Sequence, residues 1–281
     1  MKILILGGKG NIGGFLSKDL EPYHDIISVS KDDLDITSKS SVFSIISSKA
    51  PSIVIDAAGI SNIDYCQANE QISYSVNTLG TMNIALACSK LDIPLVYISS
   101  AQVYGSDNTN VHSEHENCNP INIFGKSKLA GENLIRTLCK KYFILRTSWC
   151  FGGEKCFVKS ILSKRNTPIF MVADMVVNPT YVQDLSRAIL SIIDSTSYGV
   201  YNCVNKGETS KCDLVKYIFD LLGYDKKIIS LPKSTMDSLA PRPKNCSLAN
   251  NLIEKSFNLE IPSWEESMNI YLNGLIDKNI L

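Results

Sequence analysis

The sequence predicts an α/β fold, a doubly wound, Rossmann-like parallel sheet with a smaller C-terminal lobe. Three observations lead there. Short apolar runs alternate with amphipathic segments through the first 150 residues. The first run, Lys2-Ile3-Leu4-Ile5-Leu6, ends in a glycine cluster, Gly7-Gly8-Lys9-Gly10-Asn11-Ile12-Gly13-Gly14, just before a helix-patterned segment. Ile53-Val54-Ile55 is apolar on both faces, as a parallel strand covered on both sides must be.

The elements follow in order. Lys2–Leu6 is strand one, and Phe15–Leu20 lies in the first helix. Asp25–Ser30 is strand two, followed by a helix through Val42 and Ile46, which Thr37 or Ser38 can cap. Strand three ends in the small residues Ala57-Ala58-Gly59, which leave room for a ligand against the backbone. A long helix is expected from Tyr65 to Leu91, then strand four over Pro94–Ser100 and a polar loop from Gly105 to Pro120. Residues 121–140 read as a helix and Tyr142–Ser148 as strand five. Five strands separated by helices imply right-handed crossovers. Beyond Trp149 come a helix over Cys156–Lys164, a strand over Pro168–Val172, and a turn at Asn178-Pro179-Thr180. A helix over Val182–Ile193, a late sheet strand at Gly199–Val204, a helix over Lys211–Leu222 and a strand near Ile228–Leu231 follow. Pro241-Arg242-Pro243 is a rigid extended piece.

Bulk properties narrow the function. Lysine plus arginine and aspartate plus glutamate both number 28, so no global field draws the chain to nucleic acid or an anionic membrane. No apolar stretch approaches the roughly 20 residues of a membrane span, and the first apolar run is too short for a signal peptide. Nine cysteines occur without Cys-x-x-Cys pairs, which suggests neither a metal site nor a disulfide framework and fits a reducing cytoplasm.

In an open α/β sheet, ligands bind beyond the carboxyl ends of the strands. Two glycine registers fit, Gly8-x-Gly10-x-x-Gly13 and Gly7-x-x-Gly10-x-x-Gly13, and in either the glycines let a backbone approach a pyrophosphate, which then rests on the N–H groups of the first helix turn, at Asn11 and Ile12. After strand two an acid would select NAD. Ser30-Lys31 stands there instead, a hydroxyl and a cation suited to the 2′-phosphate of NADP(H), with NAD(H) the alternative because Asp32 and Asp33 follow. Ser100 ends strand four, where a hydroxyl can polarise a carbonyl. Lys128 lies one helical turn after Phe124, on the same face, and can reach the nicotinamide ribose. Trp149 can stack on a sugar or plug the space between lobes.

These residues resemble the extended short-chain dehydrogenase/reductases, and within them the dTDP-4-dehydrorhamnose reductases. The resemblance covers almost the whole chain. It runs through Gly7–Gly13, Leu34-Asp35-Ile36-Thr37, Asp56-Ala57-Ala58-Gly59, Val76-Asn77-x-x-Gly80, Gly125-x-Ser127-Lys128-x-x-Gly131-Glu132 and Leu145-Arg146-Thr147-Ser148-Trp149. The more specific pieces are Asn178-Pro179-Thr180, Tyr201-Asn202-Cys203, Gly207-Glu208-Thr209-Ser210 and Arg242-Pro243-x-Asn245-x-Ser247-Leu248. It implies an NADP-binding domain over 1–150, completed by parts of 175–205, and a mainly sugar-nucleotide lobe over 151–281. It adds Asp35 and Ile36 to the cofactor contacts and Gln102, Trp149, Asn178 and Arg242 to the substrate contacts. The implied reaction is hydride delivery to the C4 ketone of a dTDP-linked 6-deoxyhexulose by a cytoplasmic enzyme, with a homodimer as a candidate assembly.

In the family a Ser or Thr, a Tyr and a Lys act together. Ser100 and Lys128 match, but the tyrosine position is Phe124, a ring without a proton. Ala101-Gln102 also replaces the branch's usual Asp-Tyr. Three readings follow from Phe124: an engineered Tyr→Phe change made to trap a complex of an otherwise active reductase, another acid such as a water held by Ser100 and Lys128, or a non-catalytic NADP(H)-binding regulatory subunit of a partner enzyme. The regulatory β subunit of methionine adenosyltransferase, a relative of this fold, shows that the last class exists.

Overall fold

The computed structural model describes residues 1–105, 111–154, 156–163, 168–225, 227–235 and 237–278. The strands are β1 (Lys2–Leu6), β2 (Asp25–Val29), β3 (Ile53–Asp56), β4 (Leu95–Ser100), β5 (Tyr142–Thr147), β6 (Cys150–Phe151), β7 (Ile169–Val172), β8 (Val176–Val177), β9 (Thr180–Tyr181), β10 (Gly199–Asn202), β11 (Thr209–Ser210) and β12 (Ile228–Leu231). The α-helices are α1 (Asn11–Leu20), α2 (Lys39–Lys49), α3 (Ile63–Ala68), α4 (Glu70–Tyr74), α5 (Thr81–Lys90), α6 (Ile123–Leu138), α7 (Phe157–Leu162), α8 (Val182–Ile192), α9 (Lys211–Leu221), α10 (Asn251–Phe257) and α11 (Trp264–Asp277).

Six strands form one parallel sheet in the order β2-β1-β3-β4-β5-β10. From β1 the chain goes out to β2 and then returns to β3 on the other side of β1, so the topology switches between β1 and β3. Alternate strand residues feed two cores. Ile3, Ile5, Ile55, Val96 and Leu145 pack under α1 and α8, with Ile189 and Ile192. Leu4, Leu6, Val54, Tyr97 and Ile144 face α2, α5 and α6, with Ile46, Ile84 and Ile135. A third core, built from Val158, Ile161, Val215, Ile218, Met268 and Leu272, belongs to α7, α9 and α11 of the smaller lobe. The strand pairs β12-β7, β11-β8 and β6-β9 lie outside the large sheet.

One element departs from the sequence expectations. The helix expected from Tyr65 to Leu91 is three α-helices joined through a π-helical turn at Ser75–Gly80. The break starts at Asn69, which is non-helical at φ −129° and ψ 62° and lies between α3 and α4. The wide turn presents Asn77, whose side chain accepts from the Ile60 amide (2.8 Å) and donates to the Ile60 carbonyl (3.0 Å) and the Ser127 hydroxyl (3.1 Å). Tertiary hydrogen bonds override a local helical period here. After the lobe the chain returns to the large sheet. Ile253 and Ile261 join the core under α1 and α8. Part of the polar loop expected at 105–120, residues 106–110, lies outside the described residues.

A buried ion pair fastens α6 to the sheet. Glu132 and Arg146 are 0% and 1% exposed. Arg146 Nη2 and Nε donate to Glu132 Oε2 at 2.6 and 3.2 Å, and the Ser99 hydroxyl donates to Oε1 at 2.6 Å. Arg146 Nη1 donates to the Tyr104 hydroxyl, which donates to Asn202 Oδ1 on β10. Removing one partner leaves a buried unpaired charge. Glu132→Gln should therefore lower stability by about 3–5 kcal/mol, measured by urea unfolding, whereas a Glu132→Leu/Arg146→Met double variant should recover most of the loss. A single variant as stable as wild type would show that α6 is held by its apolar packing alone.

Candidate active site

The site begins at the turn after β1. Gly7 has φ +85°, and its amide and that of Gly8 both donate to the Val29 carbonyl at 2.9 Å. A Cβ on Gly7 would stand 2.7 Å from the Ala57 carbonyl oxygen, and one on Gly13 would stand 2.4 Å from the Gly7 oxygen. Only glycine fits at either position. α1 then starts at Asn11, with Gly10 as an N-cap that offers no side chain and with no acid in its first turn. Its positive dipole end therefore favours an anion.

That turn opens on a cavity of about 490 Å³ at the β1/β3 switch point. The cavity is lined by Gly7, Gly10, Ser30, Lys31, Asp35, Ile36, Ala57, Ala58 and Gly59. Asn11, Ile12 and Lys128, also expected at the cofactor, are not among the lining residues; the first two begin α1. Leu6, Lys9, Val29, Leu34, Ile60, Tyr65, Ile72 and Val76 complete the wall. Ile60 and Ile72 gave no signal in the sequence, because isolated apolar residues carry no positional information.

The acids after β2 are committed elsewhere. Asp33 accepts from the Ser30 hydroxyl (2.6 Å) and amide (2.9 Å), which hold its carboxyl below the usual range. Asp32 pairs with Lys9 at 2.7 Å. Lys31 is exposed and makes no ion pair among the described residues. Asp35 accepts from the Thr37 amide (2.9 Å) and hydroxyl (2.8 Å).

Phe124, Lys128 and Glu132 are spaced one turn apart and form one buried face of α6. Lys128 Nζ donates to the Ile98 carbonyl at 2.8 Å and lies 3.9 Å from the centre of the Tyr97 ring. Burial pulls this lysine down to about 8, against the opposing charges of Asp56 and Glu132. Burial likewise raises Asp56, at the end of β3, to about 6. Ser100 closes β4, and its hydroxyl oxygen accepts from the Gln102 amide at 3.2 Å. The Phe124 ring is 8% exposed and packs with Cys66 and Ile123 against Ile60, Ile63 and Tyr74. Since Ile60 lines the cavity, Phe124 backs the cavity wall.

The expected substrate residues meet different fates. Gln102 is fixed at both ends: its carbonyl accepts from Asn122 at 2.9 Å and its amide donates to Cys246 Sγ at 3.0 Å. Trp149 stands at φ +44°, a strained setting for a large side chain, with its ring 4.6 Å from that of Phe157. Asn178 lies between two loops. It is buried, and its amide donates to the Gly207 carbonyl while its carbonyl accepts from the Leu248 amide, both at 2.7 Å, so it clamps two loops. Arg242 forms a two-pronged pair with Asp64, at 3.0 and 2.7 Å, that joins the late Pro-Arg-Pro segment to α3. Asp64 gave no signal in the sequence, because its partner lies 178 residues away.

Comparison with known proteins agrees with this architecture. Residues 1–276 match the RmlD substrate binding domain. The dTDP-4-dehydrorhamnose reductase of Aggregatibacter actinomycetemcomitans is 31% identical over 285 residues, covering 95% of this chain and 97% of that protein. The crystal structure of dTDP-4-dehydrorhamnose reductase from Bacillus anthracis, in complex with NADP, superposes with a TM-score of 0.94 at 33% identity, covering 97% of this chain and 99% of that one. The Clostridium acetobutylicum structure of the same name gives 0.94 at 33% identity, with coverage of 98% and 99%. The chain therefore belongs to the RmlD substrate-binding-domain family, alongside the dTDP-4-dehydrorhamnose reductases.

Proposed function

We propose that this protein uses NADPH to reduce the C4 ketone of a dTDP-4-keto-6-deoxyhexose, the reaction for which its relatives are named. The observation that carries the reading is the uncapped, glycine-built N-terminus of α1, opening on the switch-point cavity in a chain that aligns end to end with a reductase bound to NADP. The nine free thiols support a reducing, cytoplasmic setting.

The residues present fit the dinucleotide. Gly7, Gly10 and the first turn of α1 would hold the pyrophosphate, and the Ala57–Gly59 backbone would flank the ring system. Lys31 is the free cation at the β2 end, with Asp32 and Asp33 both engaged, which favours a 2′-phosphate. NADPH, when bound, supplies the hydride. Ser100 would donate a hydrogen bond to the ketone oxygen as charge develops there, the role of an oxyanion donor. Lys128 holds a positive charge in a site of low dielectric, where it stabilises that developing charge and keeps water or Ser100 acidic. Phe124 cannot supply the proton that a tyrosine would, so the proton comes through Ser100 and water, and turnover is slow.

Phe124 also favours a second reading, a regulatory subunit that keeps the cofactor site and has lost the acid. One variant separates the two. Phe124→Tyr should raise NADPH-dependent reduction of dTDP-4-dehydrorhamnose by about 10²–10⁴-fold, the usual worth of one general acid, read as loss of NADPH absorbance. A tyrosine variant that binds both ligands and stays as slow would put the regulatory reading ahead.

Lys31→Ala should weaken NADPH about tenfold at low ionic strength and leave NADH unchanged, as loss of one exposed charge-assisted contact predicts. Calorimetric titration of both cofactors checks this, and tighter binding of NADH than NADPH by wild type would overturn the cofactor choice. The pH dependence follows from Lys128. Below about 8 it is an ammonium and above it a neutral amine, so kcat/KM should be level near neutrality and fall as pH rises through about 8. A profile level to pH 9.5 would remove the charge on Lys128 from the mechanism.

A further inference from the structure

β3 and β4 part at a defined rung. Their register sets Val54 opposite Leu95 and Asp56 opposite Tyr97, and the Val54 amide donates to the Pro94 carbonyl at 3.0 Å. Bonds in a parallel ladder recur at every second residue, so the rung after Asp56 would join the Ala58 amide to the Ile98 carbonyl. That rung is replaced. The Ala58 amide donates to Asp56 Oδ1 at 3.0 Å, and the Ile98 carbonyl receives Lys128 Nζ at 2.8 Å. A carboxyl and an ammonium thus take the two backbone groups that one missing hydrogen bond leaves. They also share a face. Asp56 and Tyr97 are register partners, so their side chains stand on the same side of the sheet, and Lys128 comes down from α6 onto the Tyr97 ring on that side, 3.9 Å from its centre. Asp56, Tyr97 and Lys128 are 0, 0 and 6% exposed.

The other ionisable groups packed here are occupied or neutral. Glu132, one turn along α6, is held by Arg146, Arg136 and the Ser99 hydroxyl. On α5, Thr81 donates to Asp56 Oδ2 at 3.5 Å, and burial keeps the Cys88 thiol protonated, as it does the Tyr97 phenol. Among the described residues, Asp56 is the acid facing Lys128 that has no cation in contact. We propose that Asp56 is a positioning residue for the reduction: its carboxylate is the counter-ion that keeps Lys128 an ammonium, acting across the parted strands and not through a contact pair. This rests on the reductase reading above and adds a residue that it did not contain. A contact pair would cancel the field that a developing alkoxide needs, whereas a spaced one preserves the charge and leaves it available. The same carboxylate holds the Ala58 amide, so one side chain sets both the lysine's charge and a stretch of backbone lining the cofactor cavity. Burial opposes both charges, bringing Asp56 up to about 6 and Lys128 down to about 8, so between those values each is ionised and supports the other.

The test is Asp56→Asn, which keeps an acceptor for the Ala58 amide and removes the charge. Heteronuclear NMR of protein isotope-labelled at its lysine side chains reads the titration of Lys128, identified by the resonance missing from Lys128→Met. In Asp56→Asn, Lys128 should titrate about one pH unit or more below its wild-type midpoint, and the alkaline fall of kcat/KM should move down with it. Coupling between two sites is mutual, so the Asp56 carboxyl should titrate higher in Lys128→Met by a similar amount, a reading that does not depend on the asparagine variant folding. An unmoved Lys128 in Asp56→Asn, or an unmoved Asp56 in Lys128→Met, would overturn the counter-ion. A shifted Lys128 with an unmoved pH profile would remove Asp56 from the reaction. Absence of NADPH oxidation in both wild type and Phe124→Tyr would sink the reductase reading instead, on evidence separate from the two titrations.

Discussion

The interaction on which the site depends is the Glu132–Arg146 pair under α6. A helix can slide or roll on a sheet if only apolar side chains meet it. Here Glu132 is held by two Arg146 nitrogens and by the Ser99 hydroxyl, which fixes the rotation of α6 against both β4 and β5. Lys128 and Phe124, one and two turns earlier, inherit that rotation. The same arginine reaches Tyr104 and, through it, Asn202 at the end of β10. Asn202 donates to the carbonyls of His112 and Ala249, so a single buried network also anchors the loop after β4 and the chain returning from the lobe. A hydrophobic substitute could match its stability, but it would not specify direction.

Close backbone approach completes the constraint. A Cβ on Gly125 would meet the Gln102 carbonyl oxygen at 2.3 Å, and one on Gly131 would meet the Asn77 oxygen at 2.9 Å. α6 can therefore sit against both the turn after β4 and the π-helical turn. Through Asn77 that second contact reaches Ile60 in the cavity wall. The glycines, the Asn77 clamp and the ion pair fix one object, the edge of α6 that carries the residues matching the family's catalytic positions.

The sheet is legible in the sequence because parallel strands buried on both faces must be continuously apolar, and each is bounded by a glycine, a proline or a polar pair. The glycine turn is legible because its backbone needs are local. The broken helix after α3 is not, since hydrogen bonds from Asn77 to residues 17 and 50 positions away decide it. α10 and α11 have no expected counterpart, although α11 carries a full capping box, Ser263 with Glu266, a local signal present in the sequence. The substrate side is the least legible part. Asn178 looks like a free amide and is a clamp. Arg242 looks like a free cation and is tied to Asp64. Each depends on partners that only the folded chain brings near.

The electrostatics of the interior bear on what a phenylalanine at position 124 changes. Asp56 and Lys128 both lose solvation, one moving up to about 6 and the other down to about 8, so both sit closer to neutrality than their free values. Tyr97 lies between them in the same layer, its hydroxyl buried and its acidity suppressed by that burial and by the Asp56 charge. A tyrosine at position 124 would find a lysine whose charge is only weakly compensated, the setting that lowers a phenol toward neutral pH. That setting persists without the phenol. The interior therefore still bears the cost of a buried, partly compensated ammonium beside the cofactor cavity. Such a group adds little to stability, since desolvation opposes its charge. Its contacts to the Ile98 carbonyl and the Tyr97 ring hold that charge at a fixed place one helical turn from position 124.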